Sequence, residues 1–268
     1  MGRWGKGIYE SDDVLDMVDG IYHSFMREIA YLMAPEQVDQ CTRWLGEVIT
    51  VIELMLLFDK HKVSSIHLID QQTAIQRWQN TFLSVWNAEW NETEKDYAHA
   101  PFRSYDYRVQ HRDTMVMWFE HLMKLAKYAR PTEKPQPLQS QLPQFYIKDG
   151  RGEKNPFQSR FLTTIVDMLI HNIAWILAEE NRDVVITFFS EIERVWASIH
   201  IMGILCESYA YKLEVVVTGI DKWHQKMTDI WKLRMIEDMG EWEETKSYKY
   251  ISSLFEKLKP YCRENSYL

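Results

Sequence analysis

On both sides of the run RPTEKPQPLQSQLPQ (130–144), apolar residues recur at i, i+3 and i+4, and no stretch sustains the period-2 alternation of a half-buried strand. That periodicity constrains the chain more than any other feature. A segment patterned this way buries one stripe of side chains only as a helix, so the chain reads as all-α. Composition agrees: 11 Trp and 14 Tyr stand against only 10 Gly and 8 Pro, which is much rigid aromatic area and little turn material. Within the run itself Pro131, Pro135, Pro137 and Pro143 exclude a regular helix.

The spacing predicts helices over about 12–33, 37–60, 66–91 and 105–129, with Pro35 between the first two and Ser64-Ser65 capping the third. The second half predicts helices over about 157–179, 182–205, 207–237 and 243–261. Asn181 and Gly240 mark breaks there, and Gly203 and Gly219 leave the long middle region open. The domain reading is an N-terminal helical module over 1–130, a Pro-rich linker over 131–147 and a C-terminal helical module over 148–268. The run KDGRGEKN (148–155) reads as a turn with Lys148, Arg151 and Lys154 exposed.

The halves also superpose in sequence. At an offset of 144, Ile29-Ala30-Tyr31-Leu32-Met33-Ala34 falls on Ile173-Ala174-Trp175-Ile176-Leu177-Ala178. Trp44-Leu45 then falls on Phe188-Phe189, Glu47 on Glu191, Val48 on Ile192 and Val51 on Val195. One residue later, Arg77-Trp78 falls on Lys222-Trp223 and Val85-Trp86 on Ile230-Trp231. With further shifts EWNETEK (89–95) echoes EWEETK (241–246), and Phe119-Glu120-His121-Leu122 echoes Phe255-Glu256-Lys257-Leu258. Matching aromatic pairs in the same order point to two related four-helix bundle-like modules made by tandem duplication.

The totals exclude several classes. A net charge of −8, with neither half basic, argues against direct nucleic-acid binding, which draws its affinity from clustered Lys and Arg. Cys41, Cys206 and Cys262 lie far apart and make no CxxC pair, so neither a disulfide framework nor a zinc knuckle is expected, and Cys41 and Cys206 read as small core residues. No basic stretch followed by an apolar run opens the chain, so no secretory signal is expected. The most apolar segment, VITVIELMLLF (48–58), is about half the ~20 residues of a membrane span and carries Glu53; it reads as a buried core helix.

The opening MGRWGKGIYESDDVLD admits two accounts. Gly5 and Gly7 let the chain fold sharply around Trp4 and lay the indole, Ile8 and Tyr9 onto a helix surface. Ser11 or Asp12 then caps the first helix, with Asp12, Asp13 and Asp16 complementing its positive end. The other account takes Asp12-Asp13-Val14-Leu15-Asp16 as the DDxxD string that holds magnesium in polyprenyl synthases, although no second acidic motif follows downstream. The cap explains every residue and is preferred. Met1-Gly2, Trp4-Gly5, Gly7, Tyr9, Asp12-Asp13 and Asp16 also resemble the opening of a bacterial family of uncharacterised small proteins, M-G-x-W-G-x-G-x-[F/Y]-x-x-D-D-x-x-D, over the first 20 or so residues. The resemblance implies a bacterial cytoplasmic protein and carries over no catalytic residue.

Candidate chemistry is sparse. The nine histidines form no HExxH, HxxxH or ExxH, and His23, His171 and His200 read as hydrogen-bonded or surface histidines within helices. There is no GxSxG elbow and no phosphate-cradling glycine loop. Glu47 and Glu191 occupy equivalent places in the most apolar helix of each half. A buried carboxylate needs a partner, for which Arg43, Arg77, Arg194 or Lys222 is expected. Trp78/Trp86 and Trp223/Trp231 each lie two helical turns apart on one face. Such stripes are more often core, but together with Trp90 they are the partner-binding candidates, and the acids of WNAEWNETEKDY (86–97) suit a basic partner surface.

The function expected is therefore a non-catalytic interaction or regulatory protein of a bacterial cytoplasmic system, an accessory of the defence or toxin-immunity kind, with a protein partner, no cofactor, no metal and no membrane. Two alternatives stand beside it: a metal-dependent enzyme with a dispersed Asp/Glu/His site, and a scaffold subunit of a larger protein or ribonucleoprotein complex. The oligomeric state is left open.

Overall fold

The structure, a computed structural model, describes residues 9, 11–38, 42–61, 63, 71–93, 105–127, 146–148, 154–156, 159–187, 189–209, 211–239 and 246–263. Its elements run α1 (Asp12–Leu32), α2 (Thr42–Lys60), α3 (Gln72–Thr93), α4 (Tyr105–Lys127), β1 (Tyr146–Lys148), β2 (Lys154–Pro156), α5 (Arg160–Ile176), α6 (Arg182–Thr187), α7 (Phe189–Tyr209), β3 (Leu213–Val216), α8 (Val217–Met239), α9 (Lys246–Leu258) and β4 (Cys262–Arg263). The fold is all-α, and among the described residues the strands make two small two-stranded pairs. No helix among the described residues is long and apolar enough to cross a membrane.

The chain divides into two compact units, Val18–Thr163 and Met1–Met17 with Thr164–Leu268. These do not coincide with segments 1–130 and 148–268. The division cuts through α1 and α5, each an unbroken helix that contributes its first turns to one unit and the rest to the other.

The unit Val18–Thr163 is built on aromatics from three helices. Phe25 meets Phe58 edge-on at 5.0 Å between ring centroids, and Tyr22 and Phe161 extend the cluster. Nearly every described residue of α2 from Val48 to Phe58 is buried, which explains why that segment reads as a continuous apolar run. The Trp44 indole Nε1 donates to the Leu32 carbonyl at 2.8 Å, satisfying an orphan acceptor at the end of α1. Phe82, Trp86 and Phe119 join α3 to α4.

In the other unit, Trp231 of α8 lies 5.0 Å from Trp196 of α7 and 6.4 Å from Tyr248 of α9, and the Tyr248 hydroxyl shares a 2.9 Å hydrogen bond with Thr228. β3 and β4 pair in parallel, with Leu213 opposite Cys262.

Four boundaries differ from expectation. α3 begins at Gln72, several residues past Ser64-Ser65, which lie outside the described residues. The stretch expected as one helix over 182–205 is split into α6 and α7. The stretch expected over 207–237 contains β3, where Leu213-Glu214-Val215-Val216 alternates in burial; Val215 and Val216 suit a strand because β-branching restricts χ1 in a helix. Around KDGRGEKN, β1 and β2 form an antiparallel hairpin with Ile147 opposite Asn155; residues 149–153 and the side chains of the run lie outside the described residues.

The 144-residue offset recurs in three dimensions. Residues 16–37 and 160–181 follow the same order of buried, half-buried and exposed positions, except at Met17/Phe161 and Ser24/Met168. The helix ends close with the same backbone bonds: Met33 N to Ile29 O (3.0 Å) beside Leu177 N to Ile173 O (2.9 Å), Ala34 N to Tyr31 O (3.0 Å) beside Ala178 N to Trp175 O (3.2 Å), and Gln37 N to Ala34 O (2.9 Å) beside Asn181 N to Ala178 O (3.1 Å). At an offset of 145, buried Ile75, Phe82, Val85 and Trp86 of α3 match buried Ile220, Met227, Ile230 and Trp231 of α8. At 136, buried Met115, Trp118, Phe119 and Leu122 of α4 match buried Ile251, Leu254, Phe255 and Leu258 of α9.

Candidate functional site

At the opening of the chain, Ser11 caps α1. Its buried Oγ accepts from Val14 N at 3.4 Å, and its carbonyl accepts the first helical bond from Leu15 N at 2.9 Å. Asp12 and Asp13 occupy the first turn, where a carboxylate complements the positive end of the helix dipole, and Asp16 is exposed. Among the described residues no three His, Cys, Asp or Glu side chains gather as a metal ion requires. Tyr9 docks on α7, its hydroxyl 2.7 Å from His200 Nδ1, and burial pushes its phenol well above the ordinary tyrosine range. Trp4, Gly5 and Gly7 lie outside the described residues.

The two equivalent glutamates have different partners. Glu47 is buried, and among the described residues its hydrogen bonds come from a serine hydroxyl and a backbone N–H. Its Oε2 accepts from the Ser159 hydroxyl at 2.6 Å and its Oε1 from the Arg160 backbone N–H at 2.9 Å. Ser159 in turn caps α5 by accepting from Leu162 N at 3.1 Å. The carboxylate thus sits on a helix N-terminus, where N–H groups and the dipole favour negative charge; of the arginine and lysine partners expected for it, the Arg43 side chain lies outside the described residues. Glu28 of α1 is close enough that burial and the Glu47 charge, in that order, raise its own carboxyl above the usual range.

Glu191 is half-exposed and pairs with Arg194 one turn on, at 3.0 Å, as expected. Arg194 continues to Asn172 Oδ1 (3.2 Å), and Asn172 Nδ2 donates to Ser198 Oγ (3.0 Å). The Met17 sulfur lies within reach of both the Asn172 amide and the Ser198 hydroxyl.

Trp78, Trp86 and Trp231 are buried, so they serve the core and cannot present a face to a partner; the partner-binding reading of these three is corrected. Trp223 is half-buried, and the Trp90 side chain lies outside the described residues. The exposed aromatics are others. Tyr31 is 55% and Trp175 51% exposed, at equivalent places near the ends of α1 and α5, and Met168 lies two turns before Trp175 on the same helix. The backbone beneath Trp175 is fixed, because its carbonyl accepts from Asn181 Nδ2 at 2.6 Å as well as from Ala178 N.

A further set of chemistry-bearing side chains joins α8 to α9. His224 Nε2 lies 2.8 Å from Ser252 Oγ, and its Nδ1 lies 3.8 Å from Glu256 Oε1. The imidazole stacks on Phe255 at 4.9 Å, and burial lowers its pKa below the ordinary value. Lys259 bridges Glu256 (2.7 Å) and Asp221 (2.8 Å), and those bonds hold its ammonium above the ordinary lysine range. In the other unit Asp59 faces His121 at 3.5 Å. Burial pushes the Cys206 thiol up to about 12 and also raises that of Cys262, so both stay protonated and inert.

The sequence carried no sign of the α8–α9 set, because its members lie on two helices and meet only when those helices pack. The Ser159 anchor had a faint local sign, a serine directly before an apolar run. Comparison of the chain with protein-family models, with curated proteins and with solved structures gives no match.

Proposed function

We infer that the chain is a helical interaction or regulatory protein whose work is recognition of another protein, built by tandem duplication of one helical unit. The observation that carries this reading is the exposure of Trp175, matched at the equivalent place by Tyr31. A large aromatic on the rigid end of a well-packed helix contributes little to the core it stands outside, and aromatic anchors of this kind dominate the energetics of protein interfaces. The net charge of −8 favours a partner with a basic surface. The buried acid Glu47 ties α2 to the start of α5, and Arg194 ties α7 to α5 through Asn172, which fits a scaffold for display. The bacterial cytoplasmic setting, and a role beside defence or toxin-immunity proteins, rest on the resemblance of the first 20 or so residues. Duplication is supported by the recurrence of burial order and of helix-closing hydrogen bonds at a constant offset.

The test is affinity purification of the tagged full chain from native extract, beside Trp175→Ala and Tyr31→Ala. A partner that is released by raised salt and lost from either variant, while both keep the parent melting temperature, supports the reading. Recovery of the parent chain alone and monomeric, or equal retention of the partner by both variants, overturns it.

A further inference from the structure

The helix pairs α3–α4 and α8–α9 share their packing positions but differ in chemistry. Where the first pair carries Gln76, Gln79, Val116 and Met123, the second carries Asp221, His224, Ser252 and Lys259, and Glu120 is matched by Glu256. Neutral side chains suffice for the packing, so a histidine taken partly out of water and lined up with a serine has no need to be there for stability.

The orientation is also specific. A serine or threonine within a helix ordinarily turns its hydroxyl back to a carbonyl three or four residues earlier. Thr228 does so to His224 O at 2.8 Å and Ser253 to Tyr250 O. Ser252 instead aims its hydroxyl at the imidazole. Glu256, an acceptor, stands on the Nδ1 side of the ring and favours the tautomer with the proton on Nδ1. Nε2 is then the acceptor, and Ser252 is the donor.

We propose that Ser252 is a nucleophilic serine activated by His224, a site of covalent modification by activated acyl donors such as esters and thioesters. This goes beyond the recognition reading and does not depend on it. Ser252 Oγ attacks the acyl carbon, and the Oγ–C bond forms as the bond to the leaving oxygen or sulfur breaks. The leaving group departs with the electron pair, and the hydroxyl proton passes to His224 Nε2. Glu256 is a positioning residue that acts through the ring. The backbone N–H groups of α9 around Ser252 are committed to the helix, so α9 itself supplies no oxyanion hole. Such donors contribute about 100- to 1,000-fold to acyl transfer, so the expected chemistry is slow, stoichiometric acylation and not rapid turnover.

The experiment treats the purified full chain with p-nitrophenyl acetate and maps the acetyl group by peptide mass spectrometry. One acetyl on Ser252 is expected, absent from Ser252→Ala and formed about 100-fold or more slowly in His224→Gln, a change to the residue that the other unit carries at Gln79. Acetylation confined to lysines, or an unchanged rate at Ser252 in His224→Gln, overturns the proposal. Should that variant fail to fold, the parent protein decides: its rate at Ser252 must fall as acid protonates the imidazole, whose pKa lies below the ordinary value, and a flat profile between about pH 4 and pH 8 overturns it. Glu256→Gln must move that profile to lower pH, because the carboxylate favours the imidazolium; an unmoved profile removes Glu256 from the site.

Discussion

Replacing Glu47 with glutamine tests whether a buried acid on a helix N-terminus organises the unit Val18–Thr163. The carboxylate accepts one bond from Ser159 Oγ and one from Arg160 N, and hydrogen bonds to a charged group contribute about 1.5–3 kcal/mol each. Glutamine keeps the shape but has a single acceptor oxygen, so its amide nitrogen must face one of the two donors. Ser159 can rotate to accept from that nitrogen, at the loss of a charge-assisted bond; Arg160 N–H has no such freedom. The charge at the positive end of α5 is lost as well, a further contribution of about 0.3–1 kcal/mol. Together these give an expected destabilisation of about 2–3 kcal/mol. Urea unfolding of Glu47→Gln, Ser159→Ala and the double variant measures it, with an expected coupling of about 1 kcal/mol or more. Amide exchange should quicken at Arg160 and Leu162 before the rest of α5. A loss under about 0.5 kcal/mol with unchanged exchange at those two amides would refute the reasoning, since surface changes fall in that range.

The equivalent change Glu191→Gln breaks a half-exposed pair one turn long, and should cost no more than about 1 kcal/mol in the same urea assay. Trp86→Ala empties a fully enclosed position and should cost about 3–5 kcal/mol, whereas Trp175→Ala should stay within about 0.5 kcal/mol, as thermal unfolding of the two will show. Ser11→Ala removes the cap of α1 and should cost about 1 kcal/mol, read from urea midpoints. His224 is held below its unfolded pKa by burial, so the native state prefers the neutral ring. Its contribution is intact above about pH 6.5 and is lost as pH falls through the lower folded value. Urea midpoints measured from pH 8 to pH 4 should decline less steeply in His224→Gln than in the parent.

Helix periodicity made the all-α class legible, and it located α1, α4 and α5 to within a few residues, because an apolar stripe at i, i+3 and i+4 has one way to leave water. It could not place β3. A four-residue strand has no room to display a period, and Leu213 is held there by pairing with Cys262, nearly fifty residues away. Nor could it separate the tryptophans, since Trp175 lies in the more apolar helix of the two and is nevertheless the exposed one. Trp86 is buried in the packed unit, and Trp175 is half exposed.

What the amino-acid order determined by itself was local: which segments are helical, which faces are apolar, that Ser11 or Asp12 caps the first helix, and that residue types recur at an offset of 144. Only the tertiary structure decided who meets whom. Glu47 and Glu191 align at the 144-residue offset, yet one ended on a helix N-terminus and the other beside an arginine. Ser252 meets His224, whereas the aligned positions of α4 and α3 carry Val116 and Gln79. The physical reason is range. Helix propensity and capping act within a few residues of the chain, whereas the partner of a buried polar group is set by packing between segments that the sequence holds far apart.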